Sequence, residues 1–166
     1  MSKTFYTKGT FIPKEEYVEV IKKTQIISTD LLVFNTEGRV LLGKRNNEPA
    51  KDTWFVPGGR VRIYEKIDDA VKRITKQELG KELTKTSDVG VYHHVYHNNF
   101  ANEDHGTHYV VFAVNIVLEK DDITPLPDDQ HSELKWWTVE DVVKDPSVHP
   151  YTKNYFHPSP HNKAFM

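Results

Sequence analysis

Gly58-Gly59-Arg60 is followed along the chain by Glu65, Arg73, Glu78 and Gly80. The paired glycines allow close backbone approach to a ligand or leave a carbonyl exposed. Glu65 stands just before a helical pattern. On a helical wheel Glu78 falls inside the apolar stripe of that pattern, beside Ile67, Val71 and Ile74. A carboxylate on an apolar face is costly unless it is paired or binds a cation. Arg73 sits on the flank, able to pair with Glu65 or to reach a phosphate with both arms of its fork. A donor set of one carboxylate, one carbonyl and one amide suits Mg²⁺, which keeps some of its waters and contacts substrate phosphates. On spacing alone the plainer reading carries more weight: an amphipathic surface helix after an ordinary Gly-Gly turn.

The elements that must hold these residues follow from periodicity. Residues 13–23 read as a short helix with Pro13 in its first turn and Tyr17, Val20 and Ile21 on one face. Residues 26–34 are rich in β-formers, the turn Asn35-Thr36-Glu37-Gly38 follows, and Val40-Leu41-Leu42 opens a second strand of a hairpin. Residues 46–53 read as a loop. Trp54-Phe55-Val56 is a short strand stopped by Pro57-Gly58-Gly59. Residues 67–79 form the helix described above, with Gly80 as its cap. Residues 89–96 and 108–118 are long β-like segments around a polar loop. A last strand spans 134–137, and Thr138 is the N-cap of a helix through Val143. The tail after Pro146 shows no pattern. The order predicts an α+β fold with a mixed sheet flanked by helices.

The chain has 166 residues, 37% hydrophobic and 28% charged, which suits one domain across residues 1–166. A net charge of -2 provides no basic field, so no nucleic-acid partner is expected. There is no cysteine, hence no disulfide, thiolate metal site or thiol nucleophile, which fits a cytoplasmic setting. The first ten residues lack the apolar stretch of a signal peptide. No apolar run approaches the ~20 residues of a membrane span, so no membrane partner is expected.

Residues 59–80 resemble the Nudix box: Gly, five residues, Glu, seven residues, Arg-Glu, an apolar residue, one residue, Glu-Glu, one residue, Gly. Gly59, Glu65, Arg73, Glu78 and Gly80 fall in register, whereas Ile74 and Gln77 replace two glutamates. A box depleted in this way is similar to that of the GDP-mannose mannosyl hydrolase branch of the Nudix hydrolases. The similarity extends to Leu42-Gly43-Lys44-Arg45, Trp54-Phe55-Val56-Pro57-Gly58-Gly59-Arg60-Val61, Asn99-Phe100, Thr107-His108-Tyr109-Val110-Val111 and Leu126-Pro127-Asp128-Asp129-Gln130-His131. Several short matches in order are more specific than one degenerate box.

This resemblance implies a Nudix-like mixed β-sheet sandwiched between α-helices. It implies one Mg²⁺, replaceable by Mn²⁺, on the carbonyl of Gly58, the carboxylate of Glu78 and the amide of Gln130. Arg45, Arg60 and Arg73 would support the site or face a diphosphate that Tyr109 contacts, with His131 as general base. Asp30 and His94 match further substrate-binding positions. The implied reaction is hydrolysis of GDP-mannose, or another GDP-sugar, to GDP and sugar, by water attack at the anomeric carbon with inversion. The implied assembly is a homodimer with residues 1–25 as a helix and dimer arm. Tyr17, Val20 and Ile21 offer an apolar face for that contact.

Each assignment has a plainer competitor. The chain holds nine histidines, and His131 rises above the rest only by following Gln130. His93, His94, His97, His105 and His108 suggest a metal cluster, but His93 and His94 point to opposite faces of a strand. Tyr109 alternates within an apolar strand, as a packing residue would. Two other activities compete: Nudix pyrophosphate cleavage of a nucleotide sugar or nucleoside triphosphate, and non-catalytic sensing of a nucleotide sugar.

Overall fold

The computed structural model describes residues 12–125 and 127–156. The first eleven residues of the expected arm, Leu126 and residues 157–166 lie outside this range.

The chain runs α1 (Lys14–Lys23), β1 (Ile26–Phe34), β2 (Val40–Arg45), β3 (Trp54–Phe55), β4 (Gly58–Arg60), α2 (Ile67–Leu79), β5 (Ser87–Tyr96), β6 (Thr107–Val117), β7 (His131–Trp137), α3 (Val139–Lys144) and α4 (Pro150–Lys153). The seven strands form one mixed sheet in the order β3-β2-β1-β6-β5, with β4 also paired to β1 and β7 to β2. β1 is its spine. It runs parallel to β6 over its whole length and antiparallel to β4 at Ser28, Thr29 and Asp30.

Because successive strand residues face opposite sides, β1 feeds two cores. Leu31 and Val33, with Leu41 of β2, pack against Ala70, Val71, Ile74 and Leu79 of α2. Leu32, with Val40 and Leu42, packs on the other face against Trp54, Phe55, Val142, Val148 and Tyr155. The α+β sandwich expected from the sequence is the observed architecture. No described helix is long and apolar enough to cross a membrane.

Local signals account for the helix ends. Gly80 caps α2 at φ 71°, a left-handed conformation that favours glycine. Thr138 Oγ1 accepts from the Asp141 amide, as its N-cap position requires. Pro13 stands at the N-cap of α1, one residue ahead of the expected first turn.

Three expectations need correction. Gly58-Gly59-Arg60 does not simply stop a strand; it forms β4, because β1 offers an open ladder beside it. β7 begins at His131 rather than Leu134, since its pairing with β2 continues past a bulge between Lys44 and Arg45. The described part of the tail beyond Pro146, residues 147–156, includes α4. A helix start was written there: His149 caps through Nδ1, and Pro150 occupies the first turn.

Candidate active site

A cleft of about 190 Å³ opens where the first half of β1 meets β4, β5 and β6. This is below the ~300–1,000 Å³ of pockets that engulf a drug-sized ligand, so a nucleotide would extend beyond it. Asp30, Arg45, Gly58 and Arg60 line it, as do His94, Tyr109 and Gln130. The fold brings these together by strand register. Asp30 is the partner of Gly58 across β1 and β4, His94 of Tyr109 across β5 and β6, and Arg45 of His131 across β2 and β7.

Only glycine fits at position 58. A Cβ there would lie 2.6 Å from the Thr29 carbonyl and 2.7 Å from Asp30 Oδ1. Asp30 is buried, and its pKa rises to about 7 through desolvation, opposed by the Tyr155 hydrogen bond and the Arg45 charge.

Glu78 approaches from α2, behind Gly58. Its Oε2 is sealed from water and has no hydrogen-bond partner. Burial pushes its pKa up to about 8. Asp128 and Asp30 add to the rise, while Arg45 and a Gly58 backbone bond oppose it. An orphaned, desolvated carboxylate oxygen is a ligand position for a cation. Among the described residues no three His, Cys, Asp or Glu side chains gather as a metal site. Beside Glu78, the Gly58 and Gln130 residues on the cleft wall offer neutral oxygens that could complete a ligand set. The donor set fits Mg²⁺.

Arg73 does not line the cleft. Its Nε donates to Glu65 Oε1 (2.7 Å), and its second terminal nitrogen, Nη2, donates to Glu65 Oε2 (2.9 Å) and to the Arg60 carbonyl (2.9 Å). Of the two partners open to it from the sequence, Glu65 or a phosphate, Arg73 is paired with Glu65. Glu65 Oε2 also accepts the Arg62 amide, which ties down the turn between β4 and α2. At the depleted positions, Ile74 is buried with Cδ1 facing Gly59, and Gln77 is exposed and accepts from Arg73.

His131 lies behind this wall, 1% exposed, with its ring against Gly43, where a Cβ would lie 2.4 Å from the ring. Burial lowers its pKa; Asp128 works against that shift and Arg45 with it. Asp128 Oδ1 accepts the amides of Gln130 (2.8 Å) and His131 (2.7 Å) and lies 3.1 Å from His131 Nδ1. An Nδ1–H held there leaves Nε2 as the basic nitrogen.

Aromatic residues at the cleft and behind it have places that the sequence did not indicate. Tyr17, assigned to a dimer face, lines the cleft of its own chain, with the Arg60 guanidinium 5.4 Å from its ring centroid. Ile21, assigned to the same face, is buried within the chain. Tyr155 donates to Asp30 Oδ2, and Tyr151 stacks flat on His94 at 4.2 Å. The histidines do not form one cluster. His93 and His108 hydrogen-bond to each other at 2.8 Å, while His94 turns into the cleft.

The NUDIX domain family model matches residues 24–157. The low-salt glycan biosynthesis protein Agl8 of Haloferax volcanii is 36% identical over 148 residues, spanning 88% of this chain and 89% of its own. Among solved structures, the MutT protein of Methanosarcina mazei aligns with a TM-score of 0.67 at 20% identity, over 82% of this chain and 93% of its own. The NUDIX domain of Shewanella oneidensis NrtR in complex with ADP ribose aligns with a TM-score of 0.59 at 19% identity, over 88% and 94%.

Proposed function

Since this chain belongs to the NUDIX family, we propose that it hydrolyses a nucleoside-diphosphate sugar with the help of Mg²⁺, and that GDP-mannose is its substrate. Water attacks the anomeric carbon and the nucleoside diphosphate departs.

The observation that carries this reading is the state of the box. Ile74 is committed to the apolar core and Gln77 faces solvent, so Glu78 is the one box glutamate of α2 left for a metal. Water attack at phosphorus draws on carboxylates that this helix lacks. Attack at carbon asks instead for charge relief on a leaving diphosphate and for a base. Arg45 and Arg60 on the cleft wall suit the diphosphate. When bound to Glu78, Gly58 and Gln130, Mg²⁺ neutralises that same charge as a Lewis acid.

The water oxygen bonds to the anomeric carbon, and the bond from that carbon to the bridging phosphate oxygen breaks with its electron pair left on the diphosphate. The water proton goes to His131, whose ring Asp128 holds behind the cleft wall and which must turn toward the cleft to take it. Attack from the face opposite the leaving group inverts the configuration. Asp30 and His94 face the sugar, and Tyr109 the diphosphate. Arg73 acts through the turn that carries Arg60. A relative named for glycan biosynthesis supports a sugar substrate, because glycans are assembled from activated sugars. We also propose a homodimer in which residues 1–25 act as an arm, to be checked by light scattering.

The test is turnover of GDP-mannose with Mg²⁺ in ¹⁸O-labelled water, read by mass spectrometry and anomer-resolved NMR. Label in the mannose with initial release of the β anomer is the expected result. Label in a phosphate would assign pyrophosphate cleavage, and binding without turnover would assign a sensor.

A further inference from the structure

The tail beyond Pro146 takes no part in the reading above, yet it supplies the buried partners of two cleft residues. Tyr155 is buried, and its hydroxyl donates to Asp30 Oδ2. The same hydroxyl lies 3.3 Å from His94 Nε2. His94 is 4% exposed and stacked on Tyr151, whose own hydroxyl donates to the Val95 carbonyl and accepts the Val95 amide. The ring is therefore clamped to β5, and its orientation is set by the tail.

Hydrogen-bond bookkeeping gives this group a direction. A phenol has one proton to donate, and with Asp30 ionised, above its pKa of about 7, that proton goes to the carboxylate. Burial holds the Tyr155 hydroxyl well above the usual tyrosine range, so the proton stays on it. Burial also lowers the His94 pKa to about 3, so the imidazole is neutral and carries one N–H. The Nδ1 side lies 4.0 Å from Asp30 Oδ2, beyond hydrogen-bond reach. The His94 N–H therefore sits on Nε2 and donates to Tyr155, which donates to Asp30.

We propose that Tyr155 is a positioning residue for the sugar subsite: by this one-way chain it fixes Asp30 and the tautomer of His94. Asp30 Oδ1 and His94 Nδ1 are then left as hydrogen-bond acceptors, matched to the hydroxyl donors of a sugar. Asp30 Oδ1 is the oxygen beside Gly58. A tyrosine ring without its hydroxyl would keep the packing, including the edge contact with Tyr92 at 4.8 Å, and lose the direction.

This inference rests on the proposed function for its substrate but not for its geometry, and two readouts separate them. The first is ¹⁵N-histidine NMR of the substrate-free protein, with the His94 signals assigned by their loss in His94→Gln. A neutral Nε2–H tautomer is expected in the native protein, giving way to a mixture in Tyr155→Phe. A native Nδ1–H or charged ring overturns the proposal, whatever the substrate. The second is a kinetic cycle on GDP-mannose. Tyr155→Phe is expected to lower kcat at least tenfold with GDP inhibition unchanged, and to cost nothing further in an Asp30→Asn background. Native kcat in Tyr155→Phe, or losses that multiply in the double variant, overturns it. Absence of GDP-mannose turnover by the native protein counts against the proposed function alone, and the NMR result then decides this inference.

Discussion

Arg73 grips Glu65 with two nitrogens of its guanidinium, at 2.7 and 2.9 Å, and holds the Arg60 carbonyl with one of them. Glu65 is almost wholly enclosed, its side chain 4% exposed. An ammonium cannot reproduce this fork.

Arg73→Lys is expected to destabilise the fold by roughly 1–3 kcal/mol in urea titration at neutral pH. Burial pushes the Glu65 pKa up, but the bonds from Arg73 and the Arg62 amide outweigh it, and the net shift is downward. A carboxyl depressed in the folded state contributes stability above its unfolded value, and that stability is lost as pH falls through the folded value. The gap between native protein and variant should therefore narrow below about pH 4.

Glu78→Gln removes the one anionic donor assigned to the metal. Mg²⁺ must displace a proton from a carboxyl whose pKa is raised to about 8. Calorimetry should show Mg²⁺ binding to the native protein more tightly at pH 8.5 than at pH 6.5, conditions we choose to bracket that value. Glu78→Gln should lose both the binding and its pH dependence. Tight Mg²⁺ binding by the variant would place the metal elsewhere.

Restoring the missing glutamates tests what the depleted box does. Ile74 is buried against Gly59. Ile74→Glu should cost about 2–5 kcal/mol in urea titration, as an unpaired buried charge. Gln77→Glu, on the exposed face beside Arg73, should stay within about 0.5 kcal/mol of the native protein. Each single change restores only one of the two missing carboxylates, so release of GMP, the mark of pyrophosphate cleavage, is expected to stay at the native level in both.

Gly43 gives His131 its room. Gly43→Ala drives a methyl group into the ring and should cost roughly 1–3 kcal/mol. It should also lower kcat for GDP-mannose while leaving Mg²⁺ affinity intact, because Glu78 and Gln130 are untouched. An unchanged kcat would remove His131 from the reaction.

What could be read in advance depended on the distance over which each residue finds its partner. Glu78 stood out because its conflict with an apolar stripe lies within one helix, and α2 carries it to Gly58 as the period requires. Asp30, Arg45, His94 and Tyr109 came only from the resemblance; their convergence is a matter of strand register, which local pattern does not specify. Arg73 was left between Glu65 and a phosphate, since both choices satisfy a guanidinium and only the turn at Arg62 decides. Tyr155 was invisible, because its partner Asp30 lies 125 residues away and nothing near Tyr155 is periodic. Gly58-Gly59-Arg60 has the composition of a turn, and its strand character is conferred by β1.

That same separation bears on how the protein is made. The parallel ladder between β1 and β6 is complete once residue 117 has emerged from the ribosome, whereas Asp30 has no tyrosine donor until residue 155 follows. A nascent chain halted between these points holds much of the sheet but a cleft without its clamp. Contacts of such long sequence separation tend to form late. Acquisition of activity should therefore lag behind acquisition of β-structure during synthesis.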